Sequence, residues 1–147
     1  MRHSFSYEVR NHSGALQSLK RELDKTLFAQ ERSPSVRSTV LLVADELVSN
    51  LLKYGFKEGS EQCSRVNITL DDEWLEIELR DNGRYFNPLI HTRPQTLVST
   101  LSERQPGGLG VYLVLRMMDE TRYEWIEPWN CLTLRKRIGQ KSNDRKT

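Results

Sequence analysis

The side chains best suited to chemistry fall in three short segments. Glu46 and Asn50 stand four residues apart in Glu46-Leu47-Val48-Ser49-Asn50, so on a helix they share one face. A carboxylate there can take a proton from a hydroxyl or orient a water. A carboxamide oxygen is a hard ligand suited to Mg²⁺, whose remaining ligands are typically waters and nucleotide phosphates. Asp81-Asn82-Gly83 ends an alternating stretch. A carboxylate only accepts hydrogen bonds, so a covered one needs a donor such as the exocyclic amine of adenine, and Gly83 lets backbone approach closely. Gly107-Gly108-Leu109-Gly110 opens an apolar segment. Its glycines clear side chains away from a helix start whose first N–H groups point at an anion. No Gly-Lys-Ser/Thr follows, so it is not a Walker loop, and no strand enters it directly, so it is not a dinucleotide fingerprint. Taken singly the segments also read as a polar helix flank, a turn and a hinge. Taken in order, they are the equipment for holding a nucleotide.

The surrounding pattern predicts the elements that position these residues. Phe5 to Val9 alternates as a strand. Asn11 or Ser13 caps a helix in which Leu16, Leu19, Leu23, Leu27 and Phe28 recur at helical spacing. Ser33-Pro34 is a cap followed by proline at the first helical position, and the second helix runs to about Tyr54 and stops at Gly55. Val66, Ile68 and Leu70, then Leu75, Ile77 and Leu79, alternate with polar residues around Asp71-Asp72-Glu73, predicting a hairpin with one buried face. An irregular stretch containing Pro88, Pro94 and Pro106 follows, of a length that marks functional loops. Leu109 to Met118 is helical. Thr121 to Ile126 and Cys131 to Ile138 are two further strands joined by Glu127-Pro128-Trp129-Asn130. The expected fold is α/β (α+β), a mostly antiparallel sheet with helices on one face.

The chain has 147 residues, with 37% hydrophobic and 29% charged, enough for one core. One domain is expected over 1–138, with a polar tail over 139–147. The 22 basic and 20 acidic residues leave a net charge of +2, scattered, so neither composition nor patterning points to nucleic acid. No apolar run reaches the roughly 20 residues of a membrane span. No signal-peptide core follows the first residues. Cys63 and Cys131 have no metal-type spacing and read as free thiols, so a cytoplasmic protein is expected. His3, His12 and His91 are isolated surface residues, and Trp74, Trp125 and Trp129 are packing residues rather than a stacking platform.

Glu46-x-x-x-Asn50, Asp81-x-Gly83 and Gly107-Gly108-x-Gly110 resemble the three nucleotide-binding boxes of the GHKL ATPases, the superfamily of gyrase, the histidine kinases and MutL. Within it the chain looks most like the small anti-sigma-factor serine/threonine kinases. Ala44 to Asn50, Asp81 to Pro88, Gly107 to Val114, Met118-Asp119-Glu120 and Leu132 to Lys136 carry that likeness. It implies a two-layer Bergerat-type sandwich that binds ATP and Mg²⁺. By the resemblance, Glu46 is the general base, Asn50 holds Mg²⁺, and Asp81 accepts from the adenine amine with Gly83 beneath the base. Thr133 supports adenine through a water, and Gly107, Gly108, Leu109 and Gly110 form the phosphate loop. Leu89 to Pro106 is the lid. The implied partners are a STAS-domain anti-sigma antagonist, which is phosphorylated, and a sigma factor or analogous regulator, with a homodimer through the first helix or strand.

The chain departs from the family pattern at four places. Tyr85 stands where many members have a second glycine, and Asn87 replaces an aspartate before Pro88. Tyr54 replaces a histidine, and Trp129 stands where glycine is usual. These bear on the lid more than on nucleotide binding. The competing reading is a non-catalytic, ATP-gated module that sequesters a sigma factor or other regulator. A detached histidine-kinase catalytic domain is disfavoured, because no histidine lies in a dimerisation helix.

Overall fold

The computed structural model describes residues 2–31, 33–91 and 108–139. Strand β1 (His3–Arg10) is followed by helix α1 (Ala15–Lys25), the short α2 (Leu27–Gln30) and α3 (Pro34–Val43). The helical path of α3 continues through two widened π-turns, Ala44–Val48 and Leu51–Gly55. The hairpin β2 (Cys63–Leu70) and β3 (Trp74–Asp81) comes next, then α4 (Pro88–His91), α5 (Leu109–Arg116), β4 (Glu120–Ile126) and β5 (Trp129–Arg137). The five strands form one sheet in the order β1-β2-β3-β5-β4, antiparallel at every pairing.

Strand alternation divides the sheet into two faces. Phe5, Val9, Ile68, Leu75, Ile77 and Leu134 are buried on one face, against Leu19, Leu23, Val40, Val48 and Val114 of the helices. The opposite face is polar. There Ser6 Oγ donates to Asn67 Oδ1 (2.7 Å), Asn67 Nδ2 donates to Glu78 Oε1 (2.9 Å), and Trp74 lies beneath the guanidinium groups of Arg135 and Arg137. This is the expected two-layer α/β arrangement with an antiparallel sheet and helices on one face.

Three local expectations are corrected. The first helix breaks at Thr26 (φ −117°, ψ −80°), whose hydroxyl and N–H both donate to the Glu22 carbonyl (2.7 and 3.1 Å). A β-branched residue with that local hydrogen bond competes with the helix ladder. Neither Asn11 nor Ser13 caps α1. Its N-cap is Gly14 at φ +82°, a conformation that favours glycine, while Asn11 Nδ2 donates to the Lys57 and Ser60 carbonyls (3.0 and 3.2 Å). The β4–β5 connection is a tight turn at Glu127-Pro128, since Ile126 already pairs with Trp129. Ser33 caps α3 as expected, its Oγ accepting from the Val36 N–H (3.4 Å) ahead of Pro34.

Candidate functional site

Asp81 ends β3 at the rim of the buried face, paired across β2 with Ser64 and across β5 with Asn130. These three make a polar rung beside apolar ones, because the next inward pairs are Val66 with Leu79 and Leu79 with Leu132. The rung floors an open cleft. Its walls are mostly apolar and come from the π-turns (Leu47, Val48, Leu51), the sheet (Leu79, Leu132) and the segment after β3 (Phe86, Pro88).

Within the rung, Asp81 Oδ1 accepts from Gly83 N (2.9 Å) and Asn130 Nδ2 (3.0 Å). Oδ2 makes no hydrogen bond among the described residues and so has acceptor capacity left for a donor in the cleft. Burial pushes the Asp81 carboxyl up from its ordinary value, and the Asn130 and Gly83 hydrogen bonds pull the other way. Gly83 is fixed by close approach: a Cβ there would lie 2.7 Å from the Gly55 carbonyl oxygen and 3.1 Å from Asp81 Oδ1. The neighbouring Arg84 N–H donates to that same Gly55 oxygen (3.0 Å). The turn after Asp81 is therefore docked on the end of the Glu46–Asn50 helix.

Asn130 uses every hydrogen-bonding position of its side chain inside the protein. Nδ2 also donates to the Arg84 carbonyl (3.0 Å), and Oδ1 accepts from Phe86 N (3.1 Å) and from the Tyr123 hydroxyl (2.5 Å). Burial, with Tyr85 and Asp81 nearby, holds the Tyr123 phenol at about 12, so it stays a donor at neutral pH.

Thr133 is not in this site. It pairs with Glu78 and Arg122 on the polar face of the sheet, opposite to Asp81. Asn130, three residues earlier, is the polar residue of β5 that lines the cleft on the inner face. The signal was present in the sequence: Leu132 and Leu134 face inward, so an even-numbered position must carry the polar contact.

A second, more polar cavity adjoins the cleft. Asn50 and Tyr54 line both, and the second adds Glu46, Lys53, Gly108, Leu109 and Gly110. Glu46 and Asn50 are half-buried on adjoining turns. In an α-helix such a pair is offset by about 40°. The turn at Ala44–Val48, which carries Glu46, is widened and closed by i→i+5 bonds. Gly108 is the N-cap of α5, so the N–H groups of the first helical residues open toward this cavity. Gly110 lies directly on the Glu46 carboxylate. A Cβ added to Gly110 would overlap Oε1 and come within 2.6 Å of Cδ. Gly107 and residues 92–106 of the expected lid lie outside the described residues, while Leu89 to His91 belong to α4.

The donor set fits a nucleotide with its metal. Among the described residues no three His, Cys, Asp or Glu side chains converge on one point. Asn50 and Glu46 are the oxygen donors that could face such a metal from the second cavity. That is the usual arrangement for Mg²⁺ held largely by phosphates and water. An apolar slot with a buried acceptor at one end, joined to a helix N-terminus with a carboxylate and a carboxamide at the other, defines a site for a purine nucleotide.

Comparison with known proteins agrees with that geometry. Residues 8–136 match the histidine kinase-like ATPase domain. The chain belongs to the histidine kinase-like ATPase family. It is similar to the serine/threonine-protein kinase BtrW of Bordetella bronchiseptica, with 29% identity over 102 residues, 69% of this chain and 71% of that protein. It is also similar to the anti-sigma F factor of Bacillus subtilis, with 30% identity over 78 residues, 53% of each chain. A third relative is the serine-protein kinase RsbW of Listeria monocytogenes, with 28% identity over 91 residues, 58% of this chain and 57% of that one. The similarity thus spans only a little over half the length of the latter two. No helix among the described residues is long and apolar enough to cross a membrane.

Proposed function

We propose that this protein is an ATP-dependent serine/threonine protein kinase of the anti-sigma type. Its substrate would be a STAS-domain antagonist, in a partner-switching pathway that frees a sigma factor or analogous regulator. The observation that carries the reading is the placement of Glu46. Its carboxylate rests on Gly110 in the first turn of α5, beside Asn50 and at the polar end of the cleft that Asp81 closes. A base that must reach a hydroxyl attacking a terminal phosphate belongs there. Names borne by similar proteins, two of them protein kinases and one an anti-sigma factor, support the same reading.

In this reading each residue has a defined task. Asp81 Oδ2 accepts the adenine amine, and the apolar walls enclose the ring. The N–H groups of the first turn of α5 hold phosphate oxygens, and the Asn50 carboxamide is the protein's ligand to Mg²⁺. Mg²⁺ bound there would neutralise phosphate charge. Glu46 takes the proton from the attacking serine or threonine hydroxyl as that oxygen bonds to phosphorus and ADP leaves. The new phosphate adds charge to the partner's surface and weakens its complex with the kinase. β1 is an edge of the sheet, which supports including a homodimer through that strand, and the free thiols Cys63 and Cys131 accord with a cytoplasmic protein.

The test is transfer from radiolabelled ATP to candidate STAS-domain proteins of the same organism, with wild type and Glu46→Gln. The expected result is labelled STAS protein with wild type and at least a 100-fold slower reaction with Glu46→Gln, ATP binding being kept. A wild type that binds ATP and transfers nothing would instead make it a nucleotide-gated sequestering module.

A further inference from the structure

Three polar side chains are buried among the described residues: Thr39, Ser64 and Asn130. Thr39 donates to the Ser35 carbonyl (2.9 Å), and Asn130 is fully bonded. Ser64 is 1% exposed, and its Oγ has no hydrogen-bond partner among the described residues. Native structures rarely leave such a group unpaired, since an unsatisfied buried hydroxyl is costly. Ser64 is also out of pattern on its own strand. It shares the inner face of β2 with Val66, Ile68 and Leu70, all apolar and buried. Its position resolves both facts, because Ser64 stands directly opposite Asp81 and lines the same cleft. Directly paired residues of one face have Cβ atoms about 5 Å apart, so a group held by Asp81 Oδ2 brings its neighbouring atoms within reach of the Ser64 hydroxyl.

We propose that Ser64 is a base-specificity residue, its hydroxyl donating, directly or through one water, to the ring nitrogen that flanks the amine held by Asp81. This rests on the ATP-binding reading above. Adenine presents an amine donor next to a ring-nitrogen acceptor, which complements a carboxylate next to a hydroxyl donor. Guanine presents a carbonyl oxygen where the amine would be, and that oxygen would face the Asp81 carboxylate. Asn130 cannot supply the donor, since both of its Nδ2 hydrogens are committed to Asp81 and the Arg84 carbonyl. The rung thus divides the work: Asn130 orients Asp81, Asp81 takes the amine, and Ser64 takes the adjacent acceptor.

The test is calorimetric titration of wild type, Ser64→Ala and Ser64→Cys with Mg²⁺-ATP and with Mg²⁺-GTP, alongside thermal melts of the free proteins. Removing an unpaired buried hydroxyl leaves the melting temperature of the free protein unchanged or raised, whereas a purely structural hydroxyl would lower it. Ser64→Ala is expected to weaken ATP binding 5- to 10-fold, the order of one neutral hydrogen bond, and to narrow the preference for ATP over GTP. Wild-type ATP affinity in Ser64→Ala would overturn this inference and leave the ATP reading intact. Failure of wild type to bind ATP would overturn both. If Ser64→Ala melts lower, Ser64→Cys decides, because it keeps the volume and weakens the donor: a 5-fold loss of affinity supports the assignment, and wild-type affinity overturns it.

Discussion

Gly110→Ala would put a methyl group where the Glu46 carboxylate now lies. The added carbon would overlap Oε1 and stand 2.6 Å from Cδ and 3.3 Å from Oε2, so the carboxylate must retreat by about 1 Å or more, a displacement that can cost on the order of 100-fold in rate. The obstacle is the far end of a flexible side chain rather than backbone, so the fold can absorb it. We predict a protein whose unfolding free energy stays within about 1 kcal/mol of wild type by urea titration. ATP affinity should change less than about 3-fold, because the base cleft is untouched, while phosphotransfer should fall about 100-fold. The assay pairs calorimetric ATP binding with a single-turnover transfer experiment. Wild-type transfer by Gly110→Ala would refute the reasoning, since Glu46 could not then be acting from this position. Equal losses in binding and transfer would refute it too, by tying the contact to nucleotide affinity.

Other predictions address the base cleft. Gly83→Ala meets the backbone carbonyl of Gly55 at 2.7 Å, which cannot move cheaply, so a loss of about 1–3 kcal/mol is expected in urea unfolding. Asn130→Ala should weaken ATP binding at least 10-fold, since Asp81 Oδ1 loses one of its two partners, whereas Thr133→Val, on the far face, should bind ATP within about 2-fold of wild type in the same titration. Burial raises the Asp81 pKa above 3.8 in the folded state. Between that value and the raised one the folded protein holds more protons, so stability falls as pH rises through the window and the penalty is complete above it. Asp81→Asn should abolish this slope and melt no lower than wild type at pH 7. Wild-type ATP affinity should drop as pH falls through the same window, because a protonated Asp81 stops being a pure acceptor.

Much of the fold was legible because it obeys simple periods. The Ser33-Pro34 cap, the alternation of Val66 to Leu79 and the glycine-led start of α5 were each written in adjacent residues. What the sequence hid was of two kinds. The widened turns at Ala44–Val48 and Leu51–Gly55 obey an i→i+5 hydrogen-bond pattern that leaves no distinct apolar signature. The contacts of Gly83 with Gly55 and of Gly110 with Glu46 join residues far apart in the chain, and nothing local encodes them. Thr133 is a different case: the strand's own alternation places it on the outer face and Asn130 on the inner face beside Asp81.

The claim that everything else depends on is that the cleft closed by Asp81 binds ATP. Calorimetric titration of wild type and Asp81→Asn with Mg²⁺-ATP tests it most directly. Saturable binding at one site per chain by wild type, lost in a folded Asp81→Asn, is the predicted result. No binding by wild type, or equal binding by both, would contradict the account.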